Sequence, residues 1–106
     1  VIVAPSVQPV LSVTNATVRS GEPIEVAWQN APGMKFDWIA IYEAGDPDLS
    51  NYWAYRYTGG EISGSLAFDI ATIGGPLDPG EYEMRLLRDD GYVVLATASF
   101  AVNAGP

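Results

Sequence analysis

The chain has 106 residues, a net charge of −8, no cysteine and no histidine. That is the length of one domain with room for its own core, and it excludes disulfides, thiol chemistry, cysteine-type zinc sites and the commonest general base. The only cations are Arg19, Lys35, Arg56, Arg85 and Arg88, so no basic patch awaits nucleic acid or an anionic membrane surface.

Eleven glycines and eight prolines are scattered along the chain, a composition that suits many short strands joined by turns. Residues 1–9, with Pro5 and Pro9, read as an extended lead-in, and 103–106 as a linker stub. The expected domain is therefore 10–102, one module of a longer chain. Val10 to Thr14 alternates and predicts a first strand; Val18 to Pro23 predicts a turn at Ser20-Gly21. Ile24 to Trp28 alternates strictly, with Ile24, Val26 and Trp28 on one face. After the turn at Asn30-Ala31-Pro32-Gly33, Trp38 to Tyr42 is apolar on both faces, as in the centre of a sheet covered on both sides or bearing an apolar strip.

Gly45-Asp46-Pro47-Asp48 opens a loop, and Tyr52 to Tyr57 predicts a fourth strand ending at Gly59-Gly60. Ser65 to Ile70 predicts a fifth, with Leu66, Phe68 and Ile70 inward. Gly74 to Gly80 is a loop. Glu81 to Arg88 alternates, with Tyr82, Met84 and Leu86 inward and Glu81, Glu83 and Arg85 outward. Asp89-Asp90-Gly91 has hairpin-turn chemistry, the glycine being expected to supply φ > 0. Tyr92 to Leu95 returns, and Ala98 to Val102 is the last strand. About seven strands at regular spacing, without a helical period, predict an all-β, immunoglobulin-like (fibronectin III-like) antiparallel β-sandwich. The run Leu77-Asp78-Pro79-Gly80-Glu81-Tyr82 places Tyr82 as a tyrosine corner, its hydroxyl turned back to upstream backbone. The expected core holds Trp28, Trp38, Leu66, Phe68, Tyr82, Met84, Leu86 and Phe100.

Asp37-Trp38-Ile39-Ala40-Ile41-Tyr42-Glu43-Ala44-Gly45 resembles the Asp-Trp-Ile/Val-x-Ile-Tyr/Phe-x-x-Gly signature of the SKICH domain and of small immunoglobulin-like modules appended to bacterial phosphoesterases and other secreted enzymes. The aromatic run 51–57, the Pro79-Gly80-Glu81-Tyr82 strand and the Asp89-Asp90-Gly91 hairpin follow in the same order. The resemblance covers about residues 10–102. It implies a sandwich that binds or positions something and performs no chemistry. Membrane targeting does not carry over to so acidic a chain.

Tyr52, Trp53, Tyr55 and Tyr57 are the candidate ligand-binding residues, since rows of exposed aromatics stack on sugar rings or anchor protein interfaces. Alternation puts Trp53, Tyr55 and Tyr57 on one strand face and Tyr52 with Arg56 on the other. The bland alternative is that the first three complete the core. Asp46, Asp48 and Ser50 space oxygens at every second residue, a weak calcium candidate; Asn51 at the glycine position and Tyr57 at the glutamate position exclude an EF-hand. No other cofactor is expected. Glu81 and Glu83 share a strand face but lack a cleft to act as a catalytic pair.

These observations predict a non-enzymatic accessory module of a larger secreted or cell-envelope protein, monomeric, docking a neighbouring domain of the same chain. A carbohydrate-binding module using residues 52–57 and a protein–protein adaptor are the alternatives. Neither nucleic acid nor membrane is an expected partner.

Overall fold

The structure, a computed structural model, describes residues 9–69, 73, 75 and 77–104. Eight strands form among the described residues: β1 (Val10–Val13), β2 (Thr17–Arg19), β3 (Ile24–Gln29), β4 (Trp38–Glu43), β5 (Ala54–Tyr57), β6 (Gly64–Phe68), β7 (Gly80–Leu87) and β8 (Val94–Asn103). They make a three-stranded sheet in the order β1-β3-β6 and a five-stranded sheet in the order β2-β8-β7-β4-β5.

The eighth strand comes from a segment read as a turn. After β1 the chain changes sheets: Thr14 N–H still donates to Glu25, but the Ala16 carbonyl already accepts from Ala101. Thr17–Arg19 then runs parallel to Ala101–Asn103, so the sandwich is not wholly antiparallel. Asn103 belongs to β8, and its carbonyl accepts from Ser20 N–H at 2.8 Å. The segments expected at 92–95 and 98–102 merge into one strand from Val94 onward, paired to β7 with a register shift at Leu86/Leu87, while Tyr92 and Val93 lie in the loop before it. The proposed inward position of Ile70 and most of the lead-in lie outside the described residues.

Between the sheets, alternate side chains interdigitate. Leu11, Ile24, Val26, Trp28 and Phe68 come from the small sheet; Ile39, Ile41, Tyr82, Met84, Leu86, Phe100 and Val102 come from the large one. Leu66 is half-buried against them. Trp28 is fixed at both ends of its indole. Its Nε1–H donates to the Glu61 carbonyl at 2.9 Å, and its six-membered ring covers Gly64, where a Cβ would lie 2.9 Å from Cζ2. Any larger residue at 64 would collide with a buried aromatic ring. The tyrosine corner is present: the Tyr82 hydroxyl donates to the Asp78 carbonyl at 2.6 Å, and its ring stacks on Phe100 with centroids 5.7 Å apart.

One expected core residue sits elsewhere. Trp38 is buried, but in a second cluster with Ala40, Tyr42 and Leu87, with Leu49 packed against it. That cluster lies on the outer face of the large sheet. Ile39 and Ile41 take the inward positions of β4, so period-two geometry sends Trp38, Ala40 and Tyr42 outward. The strand is apolar on both faces because the sheet carries a core on each.

Candidate binding face

The outer cluster is built by register. β4 lies between β5 and β7, which places Tyr57, Trp38 and Leu87 in one cross-strand row and Tyr55, Ala40 and Arg85 in the next. Residues of one row project from the same face. The small side chain of Ala40 leaves room between larger neighbours. Trp38 forms the floor, with its Nε1–H donating to the Gly91 carbonyl at 3.0 Å. Three tyrosines pack their rings edge-to-face against it: Tyr52 at 5.4 Å, Tyr55 at 5.9 Å and Tyr92 at 6.0 Å between centroids. Tyr57 extends the row from Tyr55 at 5.5 Å, and Phe36 extends it further at 5.6 Å. The floor is 5% exposed, whereas Tyr52, Tyr55, Tyr57 and Tyr92 are 37–55% exposed.

Simple alternation from 52 to 57 does not survive. β5 begins only at Ala54, which points into the inter-sheet core. Tyr55 and Tyr57 therefore face outward, and Arg56 reaches from the inner side of this edge strand toward the Ala67 carbonyl at 3.4 Å. The bend before β5 turns Tyr52 to the outer face beside Tyr42 and Tyr55. It turns Trp53 the other way, its ring 6.4 Å from that of the core residue Tyr82. The outward set is thus Tyr52, Tyr55 and Tyr57; Trp53 is exposed at a different edge.

Asp90 and Tyr92, which no sequence motif marks as binding residues, complete the face. In the turn Arg88-Asp89-Asp90-Gly91, Gly91 N–H donates to the Arg88 carbonyl at 2.9 Å. Positive φ falls on Asp89 (45°) and Asp90 (59°), not on the glycine. Positive φ at both central residues is the pattern of a type I′ turn, tolerated by aspartate, here set in a longer loop that Arg88 N–H closes on the Val93 carbonyl at 3.0 Å. Asp90 Oδ1 accepts from the Tyr57 hydroxyl at 3.0 Å, a bond that holds the Tyr57 phenol above the ordinary tyrosine pKa. Trp38, Tyr52, Tyr55, Tyr57, Asp90 and Tyr92 line a cleft of about 130 Å3.

Asp37, the acid that opens the aromatic strand, holds this hairpin in place. It is fully buried. Its Oδ1 accepts from Asp89 N–H at 2.9 Å and its Oδ2 from Met34 N–H at 3.1 Å. The Asp90 N–H donates to the Phe36 carbonyl at 2.7 Å. The segment before β4 and the β7–β8 turn are therefore one hydrogen-bonded unit.

At the other end of the face, Arg85 lies over the Tyr42 ring, 4.4 Å from its centroid. Its Nε and Nη2 both reach Glu83 Oε1 at 3.0 Å, and its Nη1 donates to the Asp46 carbonyl at 2.8 Å. The Tyr42 hydroxyl donates to the Leu49 carbonyl at 2.8 Å, and burial pushes its pKa up to about 12 against the opposing pull of Arg85.

The loop proposed for calcium spends its side-chain oxygens on its own donors. Asp46 Oδ1 accepts from Asp48 N–H, and Asp46 Oδ2 from Asn51 Nδ2. Asp48 Oδ1 accepts from both the amide and the hydroxyl of Ser50, which lowers the Asp48 pKa. Among the described residues, no three acidic side chains gather into a metal-sized cluster.

No family model matches the chain, and no curated protein matches it in sequence. The likeness to the SKICH domain thus rests on residues 37–45 together with the aromatic run, the Pro79-Gly80-Glu81-Tyr82 strand and the 89–91 hairpin. Among solved structures, the crystal structure of murine CEACAM1b is similar, with a TM-score of 0.50 and 17% identity over 92% of this chain. The chain spans about half of that protein, 54% of its length. The fold is immunoglobulin-like. A five-stranded sheet facing a three-stranded one, with a tyrosine corner opening β7, agrees with that likeness.

Proposed function

We propose that this domain is a non-catalytic binding module that docks a protein surface through the outer face of β5, β4 and β7, as an accessory part of a larger extracellular or cell-envelope protein. The observation that carries the reading is the half-exposed ring of Tyr52, Tyr55, Tyr57 and Tyr92 around the buried Trp38. Tyrosine and tryptophan are the side chains that dominate protein interfaces, and here tyrosines gather, exposed, around a tryptophan on one face of a small domain. A glycan platform is supported less well. Stacking on a pyranose needs ring faces laid open side by side, whereas these rings meet edge-to-face at 72–83° and Trp53 has left the row.

Selection of a displayed random-peptide library on the domain tests the reading. Peptides recovered on the wild type should lose binding to Tyr55→Ala and Tyr92→Ala and retain it with Trp53→Ala. Peptides that bind all four proteins equally would remove this face as the docking surface.

A further inference from the structure

We infer that the cleft between Tyr55, Tyr57 and Tyr92 receives a basic side chain, an arginine above all, from the protein partner. The inference rests on the docking function proposed above and adds the chemistry of the contact.

The face already shows how it treats its own cations. Two of the five basic residues lie on its rings: Arg85 on Tyr42 and Lys35 on Phe36, with Nζ 5.5 Å from the centroid. Arg85 is seated by three elements, a ring face, the Glu83 carboxylate and the Asp46 carbonyl. The cleft offers counterparts of two of them, aromatic side chains and a carboxylate. Its walls are tyrosine rings around Trp38, and Asp90 stands at its rim. A ring quadrupole and a carboxylate together favour a planar cation over a neutral group.

Size agrees. Pockets for whole small molecules run to roughly 300–1,000 Å3, so about 130 Å3 accommodates the tip of one side chain. Charge agrees as well. A net charge of −8 steers a basic partner toward the domain and repels an acidic one.

The experiment is an NMR titration with acetyl-Gly-Arg-Gly-amide, its citrulline counterpart and cellohexaose. Citrulline keeps the shape of arginine and lacks the charge. The arginine peptide should shift the ring signals of Tyr55, Tyr57 and Tyr92 and the Trp38 indole N–H. Its Kd should be about tenfold below that of the citrulline peptide and should rise with salt. Asp90→Asn isolates the charge, because asparagine tolerates the left-handed turn position; it should weaken binding about threefold or more. Tyr92→Ala should also weaken it, from a position 55% exposed where truncation spares the fold.

Equal binding of the two peptides, no shift with the arginine peptide, or shifts elsewhere on the domain would overturn the inference. Shifts of the same signals by cellohexaose alone would overturn it in favour of a glycan. Peptides without basic residues recovered by display and mapped to this face would sink the inference while leaving the docking function standing.

Discussion

Removing the Asp37 carboxylate tests the link between the aromatic strand and the binding face. In the native domain its two oxygens satisfy the amides of Met34 and Asp89. Asp37→Ala leaves both donors without a partner, at about 1–3 kcal/mol each when buried. The exposed turn can open slightly and recover a water for Asp89, so the net loss should be about 3 kcal/mol. For a domain whose total stability is on the order of 5–15 kcal/mol, that is a large fraction. It corresponds to a fall in Tm of roughly 12–24 °C at about 4–8 °C per kcal/mol. Asp37→Asn retains one acceptor and turns an NH2 toward the other amide, which should cost about 2 kcal/mol. Urea denaturation measures both values, and hydrogen exchange locates them. The Asp89 amide should lose protection in Asp37→Asn under conditions where Ile39 and Ile41 keep theirs. A loss below about 1 kcal/mol for Asp37→Ala, or unchanged exchange at Asp89, would refute the assignment of Asp37 as the brace of the hairpin.

Trp28 and Trp38 should differ. Trp28→Ala empties the inter-sheet core and should cost about 3–5 kcal/mol, whereas Trp38→Ala should cost about 2–3 kcal/mol because the half-exposed tyrosines above it can settle inward; denaturation that ranks Trp38 above Trp28 would contradict the two-core arrangement. Stability should also depend on alkaline pH. The Tyr42 phenol keeps its proton up to about 12 in the folded state, against 10.0 when unfolded, so above pH 10 the unfolded chain binds fewer protons and stability declines until about pH 12. Tyr42→Phe should make that decline shallower, leaving the part that the raised phenols of Tyr57 and Tyr82 contribute, and an unchanged slope would show that Tyr42 contributes nothing to it.

Much of the sandwich was legible because burial on one face imposes period two. Ile24, Val26 and Trp28, and later Tyr82, Met84 and Leu86, alternate in sequence and do point inward. The tyrosine corner was readable for a similar reason, since a Pro-Gly bend before a strand leaves a tyrosine hydroxyl near upstream carbonyls. Local periodicity failed where long-range pairing decides. Thr17–Arg19 is a strand only because β8 runs beside it, and the bend at 51–53 breaks the alternation that would have grouped Trp53 with Tyr55 and Tyr57. Trp38 was rightly placed as buried and wrongly placed between the sheets. Both faces of β4 are apolar, so its composition cannot say which face the tryptophan takes. Asp90 and Tyr92 carried no signal beyond turn chemistry, although they stand 33 to 54 positions from the residues they meet.

The asymmetry of the two outer faces is the strongest argument that the aromatic one has a use. Ser12, Ala27 and Ser65 align across the small sheet, and Glu25 pairs with Ala67. Small and polar residues there let water cover the sheet, which is sufficient for a stable sandwich. The large sheet instead carries Trp38 beneath four tyrosines that remain substantially exposed. Folding alone would be served by residues that hide or by residues that are polar, and these do neither fully. Leu49 and the Tyr42 hydroxyl close one end of the cluster, and Arg85 with Glu83 caps Tyr42. Toward Tyr55, Tyr57 and Tyr92 the cluster stays open, and there the Asp37-braced hairpin delivers a carboxylate. A buried acid that positions the backbone of an exposed acid, beside rings fixed by a buried tryptophan, is pre-organisation of a surface, and its benefit appears when a partner binds to it.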